Sequence, residues 1–356
     1  MTAHPALASN KQQDGPVQID ISVKGHWTSV PALSIADRLI VFKGRLLRIA
    51  RVHDEEWLET ELADPGRCIK ALKAQRRGGL HADIFTFSQK LPATEPKYEY
   101  FAEYDSIAVA HFGSFEEWWK GLPQESRKNV RRAERRGVSI SIREFDDDLI
   151  NGLVELNNDS PIRQGRRNHH YGKTSDQVRR DHQSFLDRSC LICAYLDKEL
   201  VGFLKLVYRG DVASILQCTP KGSHADKRPA NALLAKAVEV CAAKGIQYLT
   251  YGKFNYGNKG DSTLREFKVR NGFREMLVPR FYVPLTNWGA ACIKLKVHQG
   301  IHGMLPHAVI KKLVAVRTRW YTLTGTISRC SSTLEQPNRT RQTGCSSPPA
   351  GSISQS

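Results

Sequence analysis

Residues 190–219, CLICAYLDKELVGFLKLVYRGDVASILQCT, decide the fold. Aliphatic and β-branched side chains fall in three runs, parted by Asp197-Lys198 and by Gly210-Asp211, pairs suited to tight hairpin turns. The pattern predicts three consecutive antiparallel strands. The loop PKGSHADKR (220–228) then leads into PANALLAKAVEVCAAKG (229–245), a helix with Pro229 at its first position, an apolar stripe at Leu233, Leu234, Ala237, Val238 and Cys241, and Gly245 at its end. A strand in IQYLTYG, a short helix in TLREFKVR and a strand in REMLVPRFYVPL follow. Thr263 and Glu266 have capping-box spacing, and Asn271-Gly272 can stop that helix. The class is α/β (α+β): a mixed, mostly antiparallel sheet flanked by helices.

Upstream, IADRLIVFKGRLLRIARV predicts a strand hairpin around Lys43 and Gly44, DPGRCIKALKAQ a helix entered at Pro65, and ADIFTFSQKL another strand. FEEWWKGL is an aromatic amphipathic helix broken at Pro123. A basic helix closing at Gly137 and the strand VSISIREF come next. The organisation expected is a disordered segment 1–16, an N-terminal α/β subdomain at 17–109, a main domain at 110–290, an amphipathic helical segment at 291–322 and a disordered tail at 323–356, rich in Ser, Thr, Pro and Gly.

Of 356 residues, 53 are Lys or Arg and 36 Asp or Glu, a net charge of +17. The excess is local: residues 1–119 sum to −2, 120–190 to +4, 191–290 to +7 and 291–356 to +8. A hydrophobic content of 40% excludes a wholly disordered chain, and the charged residues form no heptads. No stretch approaches the roughly 20 apolar residues of a spanning helix, and the N-terminus lacks a signal-peptide core, so a cytoplasmic location is expected. Cys190 and Cys193 form a lone CxxC inside a strand-like run and are read as reduced core thiols. The pair His169-His170 and the set His298, His302 and His307 lack ligand spacing, so no metal is expected. The segment LPHAVIKKLVAVRTRWYT is amphipathic and suits docking on the domain or on an anionic membrane surface.

Three places carry chemistry. In SRKNVRRAERRG (126–137), Arg127, Arg131 and Arg135 form one helical ridge and Lys128, Arg132 and Arg136 the next, a cationic face able to grip phosphate or carboxylate. The joint between VASILQCT and the helix at Pro229 sets Lys221, His224, Lys227 and Arg228 around a helix N-terminus, where amides and dipole favour an anion. In the helix before Asn271, Lys268 beside Phe267 is suited to stabilising an oxyanion if it faces a cleft.

These segments together (the Arg-rich helix before Gly137-Val138, the P-x-x-x-L-L joint, and LREFKVRNGFRE…RFYVPL) resemble the FemAB-like branch of the GNAT acyltransferase superfamily over about residues 110–286. The resemblance implies a GNAT fold, often doubled, which makes 17–109 a candidate degenerate half. It also implies a V-shaped opening between parallel strands VASILQCT and IQYLTYG that admits the donor's acyl arm. Lys268, with Phe267 beside it, corresponds to a lysine implicated in transfer, and Arg127 or Arg131, with Lys128, to a helix cation contacting an anionic substrate. The loop TPKGSHADKRPA departs from the usual Gln/Arg-x-x-Gly-x-Gly/Ala pyrophosphate loop, and no long charged helical hairpin for holding tRNA is present.

An N-acyltransferase is therefore expected, with no permanently bound cofactor. Its co-substrate is acyl-CoA or another acyl donor (an acyl carrier protein or an aminoacyl-tRNA), and its acceptor is an amine. Donor-binding candidates are Leu216, Gln217, Cys218, Lys227, Arg228 and Asn231; catalytic candidates are Lys268, Tyr251 as proton relay, and Phe267, with His224 a weaker alternative. The competing expectations are a noncatalytic nucleic-acid-binding protein and a catalytically dead GNAT scaffold.

Overall fold

A computed structural model describes residues 15–23, 26–35, 38–54, 60–75, 80–163, 166–255, 263–300 and 315–316. The expected tail at 323–356, most of the amphipathic segment at 291–322, and residues 1–14 lie outside them. The chain opens with strands β1 (Val17–Val23), β2 (His26–Ile35), β3 (Arg38–Lys43) and β4 (Ile49–Val52), then helix α1 (Pro65–Ala74), β5 (Ile84–Ser88) and β6 (Phe101–His111). Next come α2 (Phe115–Gly121), α3 (Gln124–Arg135), β7 (Val138–Arg143), α4 (Asp147–Asn157), the two-residue strands β8 (Ile162–Arg163) and β9 (Arg166–Arg167), and α5 (Ser175–His182). The rest is β10 (Ser189–Leu196), β11 (Glu199–Arg209), β12 (Val212–Pro220), α6 (Pro229–Ala243), β13 (Tyr248–Lys253), α7 (Thr263–Arg270), β14 (Arg274–Pro284) and α8 (Asn287–Lys294).

Twelve strands form one sheet in the order β1-β2-β3-β4-β5-β14-β6-β13-β12-β11-β10-β7. All neighbours are antiparallel except β4 with β5 and β12 with β13, so the mixed, mostly antiparallel sheet expected from sequence is present. The connection of each parallel pair contains an α-helix, α1 or α6, and the arrangement therefore occurs twice. The two occurrences exchange a strand: β6, which follows β5 in sequence, pairs with β13, and β14, which follows β13, pairs with β5. The expected division after residue 109 falls inside β6.

Alternation along β6 defines two faces. Ala102 packs with α1 and the aromatic cluster of the first half, whereas Ala108 and Ala110 pack with α2, α3 and α6. All are even-numbered in an unbroken register, so those helices share one face. α4 and α5 cover the other face of β10 and β11. Cys190 and Cys193 are both buried but lie in clusters on opposite faces, so this CxxC cannot close a disulfide.

The predicted turns hold. Gly44 has φ +100°, and a Cβ there would meet the Leu47 carbonyl oxygen at 2.0 Å. Gly272 (φ +83°) ends α7 with the Phe273 amide donating to the Lys268 carbonyl at 3.0 Å; a Cβ there would stand 2.8 Å from Trp118 Nε1. α7 is described from Thr263 on, and the residues just before it, 256–262, lie outside the described residues, so the capping box expected at Thr263 and Glu266 falls at the edge of what is described.

Candidate active site

β12 and β13 touch over three pairs only, Val212↔Tyr248, Ala213↔Leu249 and Ser214↔Thr250, the last closed by a 2.9 Å hydroxyl–hydroxyl hydrogen bond. Past it they part, and each strand carries a local cause. β12 bulges, with Lys205↔Gln217 adjoining Leu206↔Ile215, which leaves Leu216 as the extra residue, 43% exposed. β13 loses register on β6 between Thr250 and Lys253, around Gly252 at φ +54°. Among the described residues, the edge of β12 from Ile215 to Pro220 thus has no strand partner on the β13 side. The V-shaped opening implied by the resemblance is present at the strands expected.

Cys218 and Tyr251 face each other across this fork and share a side-chain hydrogen bond; burial pushes the Cys218 thiol up to about 11, the Tyr251 contact opposing it. At that value the thiol is no nucleophile near neutral pH. Gln217 donates its amide to Thr219 Oγ1 at 3.0 Å. Phe267 packs against the core on the α6 face, as does Tyr251.

Lys268 departs from expectation. It is 0% exposed, and its ammonium donates to the carbonyls of Tyr251 (2.6 Å) and Lys253 (2.8 Å), 4.6 Å from the Tyr251 ring centre. Burial pulls its pKa from 10.5 down to about 8. An ammonium held beneath the backbone of β13 does not face the opening; it fixes the path of the strand that forms one wall.

The loop before α6 also differs from the plain anion nest expected. Gly222–Lys227 is a 3₁₀ turn, and Arg228 stands left-handed (φ 60°) at the helix cap with no side-chain cap. The Gly222 amide and the Ser223 hydroxyl both donate to Asp159, at 2.7 and 2.9 Å. Burial alone would raise the Asp159 carboxyl, but these donors and the Arg163 guanidinium outweigh it and hold it below the ordinary range. A carboxylate thus already occupies part of the nest. His224 lies 3.5 Å from Glu199, and Lys227 3.6 Å from Asp226. Arg228 is exposed, with no partner among the described residues. Asn231 is buried, its amide donating to Asn271 Oδ1 at 3.0 Å, so this expected donor contact instead ties α6 to the end of α7.

The cationic ridge of α3 is partly committed. Arg127 caps α2 by donating to the carbonyls of Lys120 (3.0 Å) and Trp119 (3.4 Å), and Arg131 lies 5.6 Å over the Trp119 ring. Arg132 bonds Asn129, and Arg136 pairs with Asp226 at 3.0 Å, joining α3 to the loop before α6. Lys128 and Arg135 are exposed with no partner among the described residues. Sequence reasoning missed Asp159: it lies 63 residues from Gly222, and no local pattern marks it. His298 lies 3.0 Å from Glu103, within hydrogen-bond distance, whereas His170 Nδ1, 3.8 Å from Asp181, has no hydrogen-bond partner among the described residues; His302 and His307 lie outside the described residues. No described helix is long and apolar enough to cross a membrane.

Residues 124–268 match the family described as Acetyltransferase (GNAT) domain. Among solved structures, FemX is 11% identical, with a TM-score of 0.53 over 81% of this chain and 90% of that one. The C-terminal domain of a putative lysylphosphatidylglycerol synthetase from Agrobacterium fabrum is 15% identical, with a TM-score of 0.49 over 77% of this chain and 89% of that one. L-PGS from Bacillus licheniformis is 15% identical, with a TM-score of 0.48 over 74% and 87%. No curated protein matches the sequence.

Proposed function

From the match of residues 124–268 to a family described as an acetyltransferase (GNAT) domain, we propose that the chain moves an acyl or aminoacyl group from a thioester or ester donor to an amine in the opening between β12 and β13. The fork itself carries this reading: the unpaired edge of β12 lies beside Tyr251, within a chain whose matched domain spans both strands. The acyl arm lies in the fork, and the neutral acceptor nitrogen attacks its carbonyl carbon. Amides along the bulge at Leu216–Cys218 hold the developing oxyanion. The C–S or C–O bond then breaks, and Tyr251 relays the proton from nitrogen toward the leaving group. Phe267 packs beneath this site, and Lys268 acts as a positioning residue through the carbonyls of Tyr251 and Lys253.

A phosphate-bearing arm is met by Arg228 and Lys227 at the start of α6, and by Arg131 and Lys128 on α3 if it extends that far. We further propose that residues 17–109 are a reduced GNAT half, on the support of the repeated parallel pair with its connecting helix. An aminoacyl-tRNA donor is the second reading, favoured by the exposed Lys128 and Arg135 on α3 and Arg228 at the start of α6, two elements that the Arg136–Asp226 contact joins.

Isothermal titration of coenzyme A and of uncharged tRNA into the full chain and its Arg228→Glu variant tests these readings. Coenzyme A binding that weakens about tenfold in the variant supports the thioester donor. Salt-sensitive tRNA binding without coenzyme A binding moves the assignment to the aminoacyl donor. Binding of neither overturns both.

A further inference from the structure

The corner where β4 and β5 begin carries an apolar and basic surface that acyl transfer at the fork does not use. Leu46, in the turn between β3 and β4, is 88% exposed, and on α8 Trp288 and Leu295 are 52% and 69% exposed. They form one patch. The Trp288 indole donates to the Leu46 carbonyl at 3.1 Å. Leu295 stands seven residues after Trp288, two helical turns along the same side of α8 and about 10 Å away.

The exposure is built into the local structure. Leu47 turns inward to pack with Ile84, Cys292 and Ile293. The Arg48 amide donates to the Asp83 carboxylate at 2.9 Å, and the Asp83 amide donates to the Arg48 carbonyl at 2.7 Å, so the turn is tied to the start of β5 with Leu46 outward. α8 lies flush on the same corner, since a Cβ on Gly289 would meet the Asp83 carbonyl oxygen at 2.0 Å. Its buried side is therefore Gly289, Cys292 and Ile293, and Trp288 and Leu295 face away from it.

Cations surround the patch. Arg45 adjoins Leu46, and Lys294 and Lys296 flank Leu295. Lys73, in the last turn of α1, borders a recess of about 570 Å³ that Trp288 also lines. All four cations are exposed and pair with no carboxylate among the described residues. Of the nearby acids, Asp83 also accepts from the Thr286 hydroxyl at 3.0 Å, and Glu103 lies 3.0 Å from His298 Nε2 and accepts from the Gln299 amide at 2.7 Å; Glu99, before β6, is exposed.

We infer that this corner docks on an anionic lipid bilayer: Leu46, Trp288 and Leu295 enter the headgroup boundary, and Arg45, Lys73, Lys294 and Lys296 lie over the phosphates. Large apolar side chains left in water beside unpaired cations match both properties of such a surface. A second copy of the chain matches less well, because a two-fold contact at the patch sets these four cations against their own counterparts. Nucleic acid fits the charge but gains no stacking from Leu46 and Leu295. The inference stands apart from the acyltransfer reading and requires no step of it.

Cosedimentation of the full chain with vesicles of phosphatidylcholine alone, and of phosphatidylcholine mixed with phosphatidylserine, tests the surface. Binding is expected to be at least about tenfold stronger to the mixed vesicles and to weaken as salt is added. Leu46→Asp, at a side chain almost wholly in solvent, and the pair Lys294→Glu with Lys296→Glu should each weaken it about tenfold or more, with thermal melts unchanged. Binding carried instead by residues 301–356 would survive these substitutions. Equal binding to the two vesicles, binding to neither, or binding that survives either substitution overturns the inference. Self-association in analytical ultracentrifugation that Leu46→Asp abolishes would overturn it in favour of a second copy.

Discussion

The two parallel strand pairs share one design and differ in what sits over them. β4 and β5 pair over three residues, as β12 and β13 do, and each pair is bridged by a helix on the same face. Over the first pair, Phe85, Phe87, Tyr98, Tyr100 and Phe281 interlock with ring centres 5.2–6.2 Å apart. α1 is capped there by Asp64, whose carboxylate accepts from the Arg67 amide at 2.9 Å. Over the second pair, the fork is lined by Cys218 and Tyr251, and α6 begins at a left-handed arginine with no side-chain cap. One half has its crevice filled with rings and its helix start closed by an acid. The other parts its two strands past Ser214 and Thr250 and gathers Lys227 and Arg228 at its helix start. The contrast teaches that two copies of one strand–helix–strand arrangement can differ wholly in packing and capping.

The largest expected effect falls on the filled side. Phe87→Ala removes the centre of the aromatic cluster and should cost about 3–5 kcal/mol in urea unfolding, without creating coenzyme A binding at β4 and β5; new donor binding there would break the comparison. On the open side, Lys268 has a pKa lowered to about 8 against 10.5 unfolded. The unfolded chain therefore binds the extra proton between these values, and stability rises with pH across about 8 to 10.5, by roughly 3 kcal/mol for this group. Lys268→Met should flatten that rise, and an unchanged pH profile in denaturant melts would show that burial does not disfavour the Lys268 ammonium in the fold.

A smaller effect is expected at the loop. Asp159→Ala leaves the Gly222 amide and Ser223 hydroxyl without their acceptor and should cost about 1–3 kcal/mol. In the wild type, a folded pKa below 3.8 means this contribution is complete above pH 3.8 and lost as pH falls through the folded value. An acid-unfolding midpoint unmoved by the substitution would count against the anchor. The least effects sharpen the contrast of helix starts. Asp64→Ala should cost about 1 kcal/mol, whereas Arg228→Ala should shift stability by less than about 0.5 kcal/mol while weakening coenzyme A. Equal costs in thermal melts would mean the two helix starts do the same work.

Much of the second half is legible in its residues. The meander at 190–219, the Pro229 helix, the strand around Tyr251 and the stop at Gly272 all rest on local turn and cap chemistry, and all are present. Other elements carry no such mark. β6 reads FAEYDSIAVAH: its acidic positions serve contacts such as Arg280 Nε to Asp105 at 2.6 Å, which hide its alternation. α4 carries Gly152 and two asparagines and half of α5 is charged, so tertiary packing through Leu149, Leu153 and Val178 overrides weak propensity. At the site, Arg228 follows from local pattern, and the fork from the family resemblance. The committed state of Lys268, Asn231 and Arg127 does not, because their partners lie 7 to 40 residues away.

The strand exchange also bears on how the chain is made. β5 is finished by residue 88, yet its partner β14 pairs with it through residues 280–284. At synthesis rates of about 5–20 residues per second, that edge waits roughly 10–40 s for the ribosome to deliver its neighbour. Over that interval the aromatic cluster lacks Phe281 and α1 has only part of its floor. A nascent chain of this protein therefore carries an unfinished β-edge through most of its synthesis, and premature termination before residue 284 leaves both repeats incomplete.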